Sequence, residues 1–396
     1  MFEFFKDRNK KKQFCYSYLI FLGNGMLALS IGSLLPYIRA ERGLEYAFMG
    51  LLVSLHSIGN LFSSFTAGIL PNILGRKKSI LVFNACFAIS YILMIHGNHK
   101  AILVIAFFMT GVARGATSNF CNLVINELSP GRVWMISCLH ATFSVGAFTI
   151  PLLITALTTV SSSYWIYGCY FMVGIGLISW LLYYLMPVEE TQNKKTKEKG
   201  SGFAFLKEPL FYLCTGTMFF YLCVEQGVIG WLITYFKDTG RLQDFLSQMM
   251  ASVLWITILI GRLTTAWLST KINKGKLLLI MGVGLVAFFF LLLGSKTPEM
   301  ITVGVIGFGF SMSGIYPTTV SFTGKIIYKY PIAWSFILTL ASIGAIVMPS
   351  IIGGIAEKIG IFYGMSSIVV VVIIDLIFIV ALVTYIKKKE SANSNA

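Results

Sequence analysis

The sequence is poor in charged residues. Only 12% of its 396 residues are Asp, Glu, Lys or Arg, whereas 56% are hydrophobic and 14% are aromatic. A soluble protein of this length carries about twice that proportion of charge. Acidic residues are the scarcer sign, with 16 of them against 31 Lys and Arg, and histidine occurs only four times. This composition argues against a soluble globular fold and indicates a membrane protein.

The sequence also lacks the residue patterns that are typical of enzymes. No glycine-rich loop precedes a Lys-Ser or Lys-Thr pair, so an ATP-driven motor is not predicted. Paired carboxylates and clusters of His and Cys are missing, and the seven cysteines are scattered, mostly inside apolar runs. We therefore expect no catalytic residue, metal, disulfide framework or cofactor, apart from a coupling ion. A removable secretory signal is not expected either, because the first apolar run is long enough to span a membrane.

Apolar runs long enough to cross a bilayer, which takes about 20 residues, recur along the whole chain. They predict an all-α membrane protein with about twelve transmembrane helices, at residues 14–36, 47–70, 79–96, 101–125, 133–157, 164–186, 210–236, 247–270, 277–293, 300–324, 333–356 and 362–386.

One long polar run, from Pro187 to Pro209, separates two apolar halves of nearly equal length. Its Lys, Glu, Gly and Ser residues cannot bury enough apolar surface to become ordered. Motifs recur in the same order on both sides of it: Gly146-Ala147-Phe148-Thr149-Ile150-Pro151 and Gly344-Ala345-Ile346-Val347-Met348-Pro349, Ile58-Gly59-Asn60-Leu61 and Ile260-Gly261-Arg262-Leu263. Such repeats predict a duplicated bundle, with an N-terminal six-helix bundle at 1–187, a cytoplasmic linker at 188–208 and a C-terminal six-helix bundle at 209–396.

The basic residues predict how the chain is oriented. Roughly 22 Lys and Arg fall on the side of both termini and the linker, against about 7 on the other side, which makes the first side cytoplasmic by the positive-inside rule. The formal net charge of +15 is then a topology signal, and no nucleic-acid partner is predicted. We expect a monomeric protein of the plasma membrane whose partners are the lipid bilayer and a small-molecule substrate.

A short loop carries the first resemblance to a known family. The stretch Gly68-Ile69-Leu70-Pro71-Asn72-Ile73-Leu74-Gly75-Arg76-Lys77 resembles the signature between helices two and three of the major facilitator superfamily, Gly-x-Leu-x-Asp-x-x-Gly-Arg-Lys/Arg. The resemblance implies the major facilitator fold and a gating loop. Its cations would reach helix ends and carboxylates as the two halves rock. Asn72 replaces the family aspartate and cannot form an ion pair. A plain basic turn is the alternative interpretation.

The predicted fourth span has a polar face. Its members fall three and four residues apart: Gly111, Arg114, Gly115, Ser118, Asn119 and Asn122. An arginine at membrane depth normally faces a bundle interior or a wet cavity, so we expect Arg114, Asn119 and Asn122 to contact the substrate. A buried arginine paired with carbonyls or a carboxylate is the alternative. Asn24 of the first span is a further candidate for the substrate path, or simply joins helices.

Further motifs narrow the resemblance. Asn126-Glu127-x-x-Pro130-Gly131-Arg132, Leu139-His140, Glu225 with Trp231, and the glycine-rich tenth span around Tyr316-Pro317 are similar to the fucose–proton symporter family. This resemblance implies proton-coupled uptake of a monosaccharide or a similar hydroxylated solute. The antiporter pattern Gly-Pro-x-x-Gly-Gly is missing, which disfavours the alternative of a multidrug or metabolite exporter of the same fold. A non-transporting receptor is a third interpretation, and the retained loop residues argue against it.

The acids inside the spans are the candidates for coupling. Only Glu225 and Asp375 lie well inside predicted spans, and buried acids in membranes are functional by default. We expect Glu225 to carry the proton or to bind substrate hydroxyls, with Asp375 and His140, or a sodium ion, as the other candidates. Gln226, Trp231 and Tyr316 are residue types that bind sugars. Arg262 is either a gate cation or a partner of Glu225. We interpret His56 as a packing residue. Pro317 is expected to break the tenth helix.

Overall fold

The computed structural model describes residues 7–128, 133–188 and 202–394, and these fold almost entirely as α-helix. The described helices are α1 (Arg8–Arg42), α2 (Tyr46–Leu74), α3 (Arg76–His96), α4 (Lys100–Leu128), α5 (Val133–Val160), α6 (Trp165–Leu185), α7 (Pro209–Asp238), α8 (Asp244–Leu268), α9 (Lys274–Gly294), α10 (Pro298–Lys329), α11 (Pro331–Ile359) and α12 (Ile361–Ser394). Each of these twelve helices contains a segment long and apolar enough to cross a membrane. The predicted number and class of spans are confirmed.

The helices extend past the predicted spans because hydropathy reports only their apolar part. α1 begins at Arg8, six residues before the predicted start, where the Asp7 carboxylate accepts a hydrogen bond from the backbone N–H of Asn9 at 2.8 Å. It ends where Gly43 adopts a left-handed conformation, with φ of 59°. A capping carboxylate and a glycine therefore set the two ends of α1, beyond its apolar part.

The expected break of the tenth helix at Pro317 is wrong. α10 runs without interruption from Pro298 to Lys329 with Pro317 inside it, and α1 likewise contains Pro36. A proline removes one backbone N–H donor from the helix, and the hydrogen bonds before and after it keep the helix continuous.

Each half of the chain forms a compact unit of its own, and the division falls between residues 196 and 197, inside the predicted linker 188–208. In the N-terminal unit α1 packs on α5, α2 on α4, and α3 on α4 and α6. In the C-terminal unit α7 packs on α11, α8 on α10, and α9 on α10 and α12. The two units thus use the same order of helix pairs.

The repeated glycine motifs are sites of backbone contact between helices. A Cβ atom added at Gly146 of α5 would overlap the carbonyl oxygen of Leu22 in α1, and one added at Gly344 of α11 would overlap that of Phe219 in α7. Small residues allow this close approach in lipid. The repeat therefore specifies the same helix crossing in both units.

The end of the predicted linker is ordered, which corrects the expectation of a solvated run up to residue 208. Residues Gly202–Lys207 form a short 3-10 helix. Phe205 is fully buried, with its ring 4.9 Å from that of Phe211 and 5.4 Å from that of Phe336. One aromatic anchor thus fixes this segment to the C-terminal unit. Residues 189–201 of the linker, and residues 129–132 of the Pro-Gly-Arg motif, lie outside the described residues.

Both units close one end with an arginine that the sequence patterns did not single out. Arg42, the last residue of α1, donates to the carbonyl oxygen of Gly97 at 2.5 Å, just after α3. Arg241, after α7, donates to the carbonyl oxygens of Leu293 and Ser295 at the end of α9, the latter at 3.0 Å. The last carbonyls of a helix have no intrahelical partner, so each arginine completes the third helix of its unit.

We expect Arg42→Ala and Arg241→Ala each to lower the free energy of unfolding by about 1–3 kcal/mol, because each leaves helix-end carbonyls without their charged donor. The measurement is thermal unfolding in detergent followed by tryptophan fluorescence. Lys296→Ala, at an exposed position beside Ser295, is the control and should melt like the wild type. Wild-type melting of both arginine variants would contradict the capping role.

Candidate substrate and coupling sites

A polar cluster in the C-terminal unit joins α7, α8 and α10. The Tyr221 hydroxyl donates to Glu225 Oε1 at 3.1 Å, one turn along α7. The Tyr221 ring lies 6.0 Å, between centroids, from that of Tyr316 in α10. The charges of Glu225 and of Arg262 in α8 both act on the two phenol groups. The structure thus brings the predicted Glu225 and Tyr316 together with Tyr221 and with Arg262, for which the sequence left open the roles of gate cation and glutamate partner.

Glu225 keeps hydrogen-bonding capacity in this cluster. The residue is partly buried, and its Oε1 accepts from Tyr221. In the part of the chain that the structure describes, no ion pair joins it to Arg262. An ionised carboxylate offers about four acceptor sites. Its second oxygen can therefore take a ligand hydroxyl or a proton.

Trp231 serves helix packing, which corrects its expected role as a sugar-binding ring. Its side chain is fully buried, and Nε1–H donates to the backbone carbonyl of Pro349 in α11 at 3.2 Å. The ring is closed off from any ligand in this conformation because it fills the α7–α11 crossing. Gln226, the other sugar-binding residue predicted on α7, is only partly buried.

Asp375 occupies a core position of α12. The buried residues of this helix recur three and four apart and include Ile368, Val372, Asp375 and Ile379. Asp375 is fully buried, and neither carboxylate oxygen has a hydrogen-bond partner among the described residues. Burying a carboxylate without a partner is costly, which marks this position for a functional role.

Arg114 of α4 binds a histidine in the N-terminal unit. Its Nη1 lies 3.3 Å from His56 Nε2, and His56 Nδ1 lies 2.7 Å from Thr110 Oγ1. The Thr110 hydroxyl donates its single proton to the carbonyl oxygen of Phe107 at 2.6 Å. From the sequence, the expected partners of Arg114 were backbone carbonyls, a carboxylate or the substrate. The histidine was not predicted because the two residues lie on different helices.

Glycines hold the two helices of this pair in backbone contact. A Cβ added at Gly111 of α4 would overlap the carbonyl oxygen of His56, and one added at Gly59 of α2 would overlap that of Phe108. A Cβ added at Gly115 would overlap the hydroxyl of Ser63 and the carbonyl oxygen of Asn60. The glycines of the predicted polar face therefore serve packing, and the close crossing places Arg114 beside His56.

The predicted asparagines differ in their surroundings. Asn24 is 2% exposed, and neither atom of its amide group has a hydrogen-bond partner in the described ranges. Asn122 donates to the carbonyl oxygen of Ser118 in its own helix at 2.8 Å, whereas Asn119 is exposed. Of these three, Asn24 has the buried and unused amide group that a polar ligand would need.

His140 of α5, a predicted coupling candidate, packs edge-on against Phe21, with 5.4 Å between ring centroids.

The predicted gating loop is a tight turn between α2 and α3. Gly75 has φ of 83° and ψ of 156°, a conformation open essentially only to glycine. Arg76 is buried and donates through Nη2 to Glu127 Oε2 at 3.0 Å, which provides the carboxylate partner that the loop signature implies. Lys77 Nζ lies 5.6 Å from the centroid of the Tyr184 ring. The side chains at positions 68 and 72, and so the predictions for Gly68 and Asn72, lie outside the described residues.

Comparisons with known proteins identify the fold and the family. The Protein TsgA homolog of Buchnera aphidicola subsp. Baizongia pistaciae is 23% identical over 385 residues, which cover 94% of this chain and 96% of that protein. The solved structure of the nucleoside transporter NupG matches with a TM-score of 0.74 and 16% identity, over 96% of this chain and 100% of that one. A D-xylose–proton symporter matches with a TM-score of 0.74 and 15% identity, over 94% and 97%. These structural likenesses show a common fold.

The family model of the Major Facilitator Superfamily matches residues 17–330, which is most of the chain. The twelve apolar helices, the loop signature and the likeness in fold all agree with that match. The chain is therefore an integral membrane transporter of the Major Facilitator Superfamily, and not an enzyme.

Proposed function

We propose that this chain is a secondary active transporter that takes up a monosaccharide or a similar small hydroxylated solute together with a proton, by alternating access. The observation that carries the proposal is the cluster of Glu225, Tyr221, Tyr316 and Arg262 in the C-terminal unit. Carboxylate, phenol and guanidinium groups supply the acceptors and donors that sugar hydroxyls need. The Tyr316 ring, which is only partly buried, adds apolar surface for the ring face of a sugar.

Coupling is assigned to the same cluster. A proton-driven carrier needs a group that changes charge at membrane depth, and arginine does not release its proton in proteins. Glu225 has one oxygen engaged by Tyr221 and a second oxygen open in the described part of the chain. We assign the transported proton to Glu225. Asp375, which is buried without a partner among the described residues, and His140 or a sodium ion are the candidates if Glu225 is excluded.

The orientation follows from the basic residues. The excess of Lys and Arg on one side of the predicted spans places both termini and the linker in the cytoplasm. The test is to introduce a cysteine into the linker and to treat intact cells with a membrane-impermeant cysteine reagent. Labelling from outside would overturn the orientation.

A ligand panel tests the substrate class. Monosaccharides, nucleosides and lipophilic cations are added to the purified protein, and its thermal unfolding is followed. A ligand present at 100 times its Kd stabilises the folded state by about 2.7 kcal/mol. We expect a stabilising monosaccharide or polyol. Stabilisation by lipophilic cations alone would instead favour an exporter.

We expect Glu225→Gln to abolish pH-gradient-driven accumulation of the stabilising sugar in proteoliposomes and to retain counterflow exchange, because the amide binds hydroxyls but carries no proton. Glu299→Gln, at an exposed acid in the first turn of α10, is the control and should behave as the wild type. Continued accumulation by Glu225→Gln would assign the proton to another group.

Tyr221→Phe and Tyr316→Phe separate the two roles of the cluster. Each removes one hydroxyl and keeps the ring, and leaving a buried partner unsatisfied costs about 1–3 kcal/mol. We expect substrate affinity to fall roughly tenfold for each variant, measured by binding to the purified protein. Tyr212→Phe, at an exposed tyrosine of α7, is the matched control. Unchanged affinity in both cluster variants would remove the tyrosines from the site.

The gating loop has its own test. Arg76→Ala should impair transport and leave membrane insertion intact, because it removes the ion pair to Glu127 that ties α3 to the end of α4. Lys78→Ala, at the exposed neighbouring position, is the control. Transport by Arg76→Ala at the wild-type rate in proteoliposomes would contradict a gating role for this arginine.

A further inference from the structure

We propose that His56 Nε2 is a proton-binding site that Arg114 closes and opens, so that the position of the Arg114 guanidinium decides whether the N-terminal unit can take up a proton. This site deepens the proposed function, and its role in transport rests on that function being proton-coupled. The inference starts from the chain of hydrogen bonds that runs from Arg114 through His56 and Thr110 to the backbone of α4.

The chain of hydrogen bonds assigns the histidine tautomer. A threonine hydroxyl has one proton to donate, and Thr110 gives it to the carbonyl oxygen of Phe107. Toward His56 Nδ1, at 2.7 Å, the hydroxyl can then only accept. Nδ1 therefore carries the ring proton, and Nε2 presents a lone pair, which accepts from Arg114 Nη1 at 3.3 Å. The ring is neutral in this arrangement.

Arg114 and a proton compete for the same lone pair. A proton added to Nε2 would point at the N–H group of the guanidinium and place two cations in contact, and like charges disfavour the charged form of the histidine. The step forms one N–H bond at Nε2 and breaks one O–H bond of a hydronium ion, which leaves as water, and the hydrogen bond from Arg114 is lost. It requires the guanidinium to leave first.

The surroundings allow that exchange. His56 is 3% exposed, and its backbone is fixed by the glycine contact at Gly111, so the ring stays in place. Arg114 is only partly buried, and its long side chain can reorient without unpacking the crossing. Arg114 is the one charged group that acts on the ring in the described ranges. From α1 and α3, the other helices in contact with α2, no described charged or titratable group acts on His56.

This arrangement links substrate and proton. A substrate oxygen that accepts a hydrogen bond from Arg114 draws the guanidinium away from His56 and exposes the lone pair of Nε2. By reciprocity, a proton on His56 frees Arg114 for the substrate. The neutral histidine that sequence reasoning interpreted as a packing residue thereby becomes a second proton site, on a different unit from Glu225.

Nitrogen NMR of the full chain in nanodiscs, labelled with ¹⁵N histidine, tests the site without any ligand. The chain has four histidines, and His56→Asn identifies the His56 signals. In the wild type we expect a neutral ring with the proton on Nδ1, unchanged between about pH 6 and pH 8. In Arg114→Leu, which removes the competing charge but leaves the ring buried, we expect both ring nitrogens to become protonated at a higher pH than in the wild type, in a titration carried down to about pH 4.

Two variants make the comparison specific. Arg114→Lys keeps a cation beside the ring and should preserve the neutral form, whereas Arg262→Leu, in the other unit, should leave the His56 signals unchanged. If Arg114→Leu does not fold, Arg114→Gln, which keeps a donor and removes the charge, replaces it with the same expected protonation. A wild-type ring with its proton on Nε2, or a ring that becomes protonated at the same pH with and without the arginine, would overturn the proposal.

Transport separates this proposal from the proposed function. His56→Gln should reduce pH-gradient-driven accumulation of the stabilising sugar and keep its counterflow. If the wild type itself shows no gradient-driven accumulation, the proposed proton coupling fails while the NMR result on His56 still stands. If the wild type accumulates the sugar and His56→Gln accumulates it equally, the histidine has no part in coupling.

Discussion

A charged side chain at membrane depth is costly, and the polar part of this transporter is organised around that cost. Arg114 donates to a neutral histidine, and Glu225 accepts from a tyrosine one turn away. Asp375 has no partner among the described residues. Each of these groups lies within one of the helices that are long and apolar enough to cross a membrane. The proposed recognition and coupling both depend on these few polar side chains.

The packing of helices makes these placements possible. Gly111 lets α4 approach the backbone of α2 closely enough for Arg114 to reach His56. Gly146 and Gly344 do the same for the α1–α5 and α7–α11 crossings, and in the second of these Trp231 fills the space beside Pro349. Lipid provides no hydrophobic drive for helices to associate, so close packing between small residues must supply much of it. The duplicated glycine motifs in the sequence reflect this need for close packing.

The ends of the helices follow a different rule, because they meet water. Asp7 caps α1, Gly75 turns the chain between α2 and α3, and Arg42 and Arg241 bind the last carbonyls of α3 and α9. None of these contacts needs burial of an unpaired charge. The same chain therefore combines capped helix ends with polar groups inside the apolar spans.

Hydropathy determined the number of helices and their order, since crossing a bilayer requires about 20 apolar residues whatever the rest of the chain does. Motif spacing likewise located the turn at Gly75 and the residues Arg76, Glu225 and Tyr316. Sequence could not tell that α10 passes through Pro317 unbroken, that Trp231 is closed off by α11, or that Phe205 anchors the end of the linker. Nor could it pair Arg114 with His56. Each of these facts depends on which side chains meet across helices distant in sequence, and only the packed tertiary structure decides that.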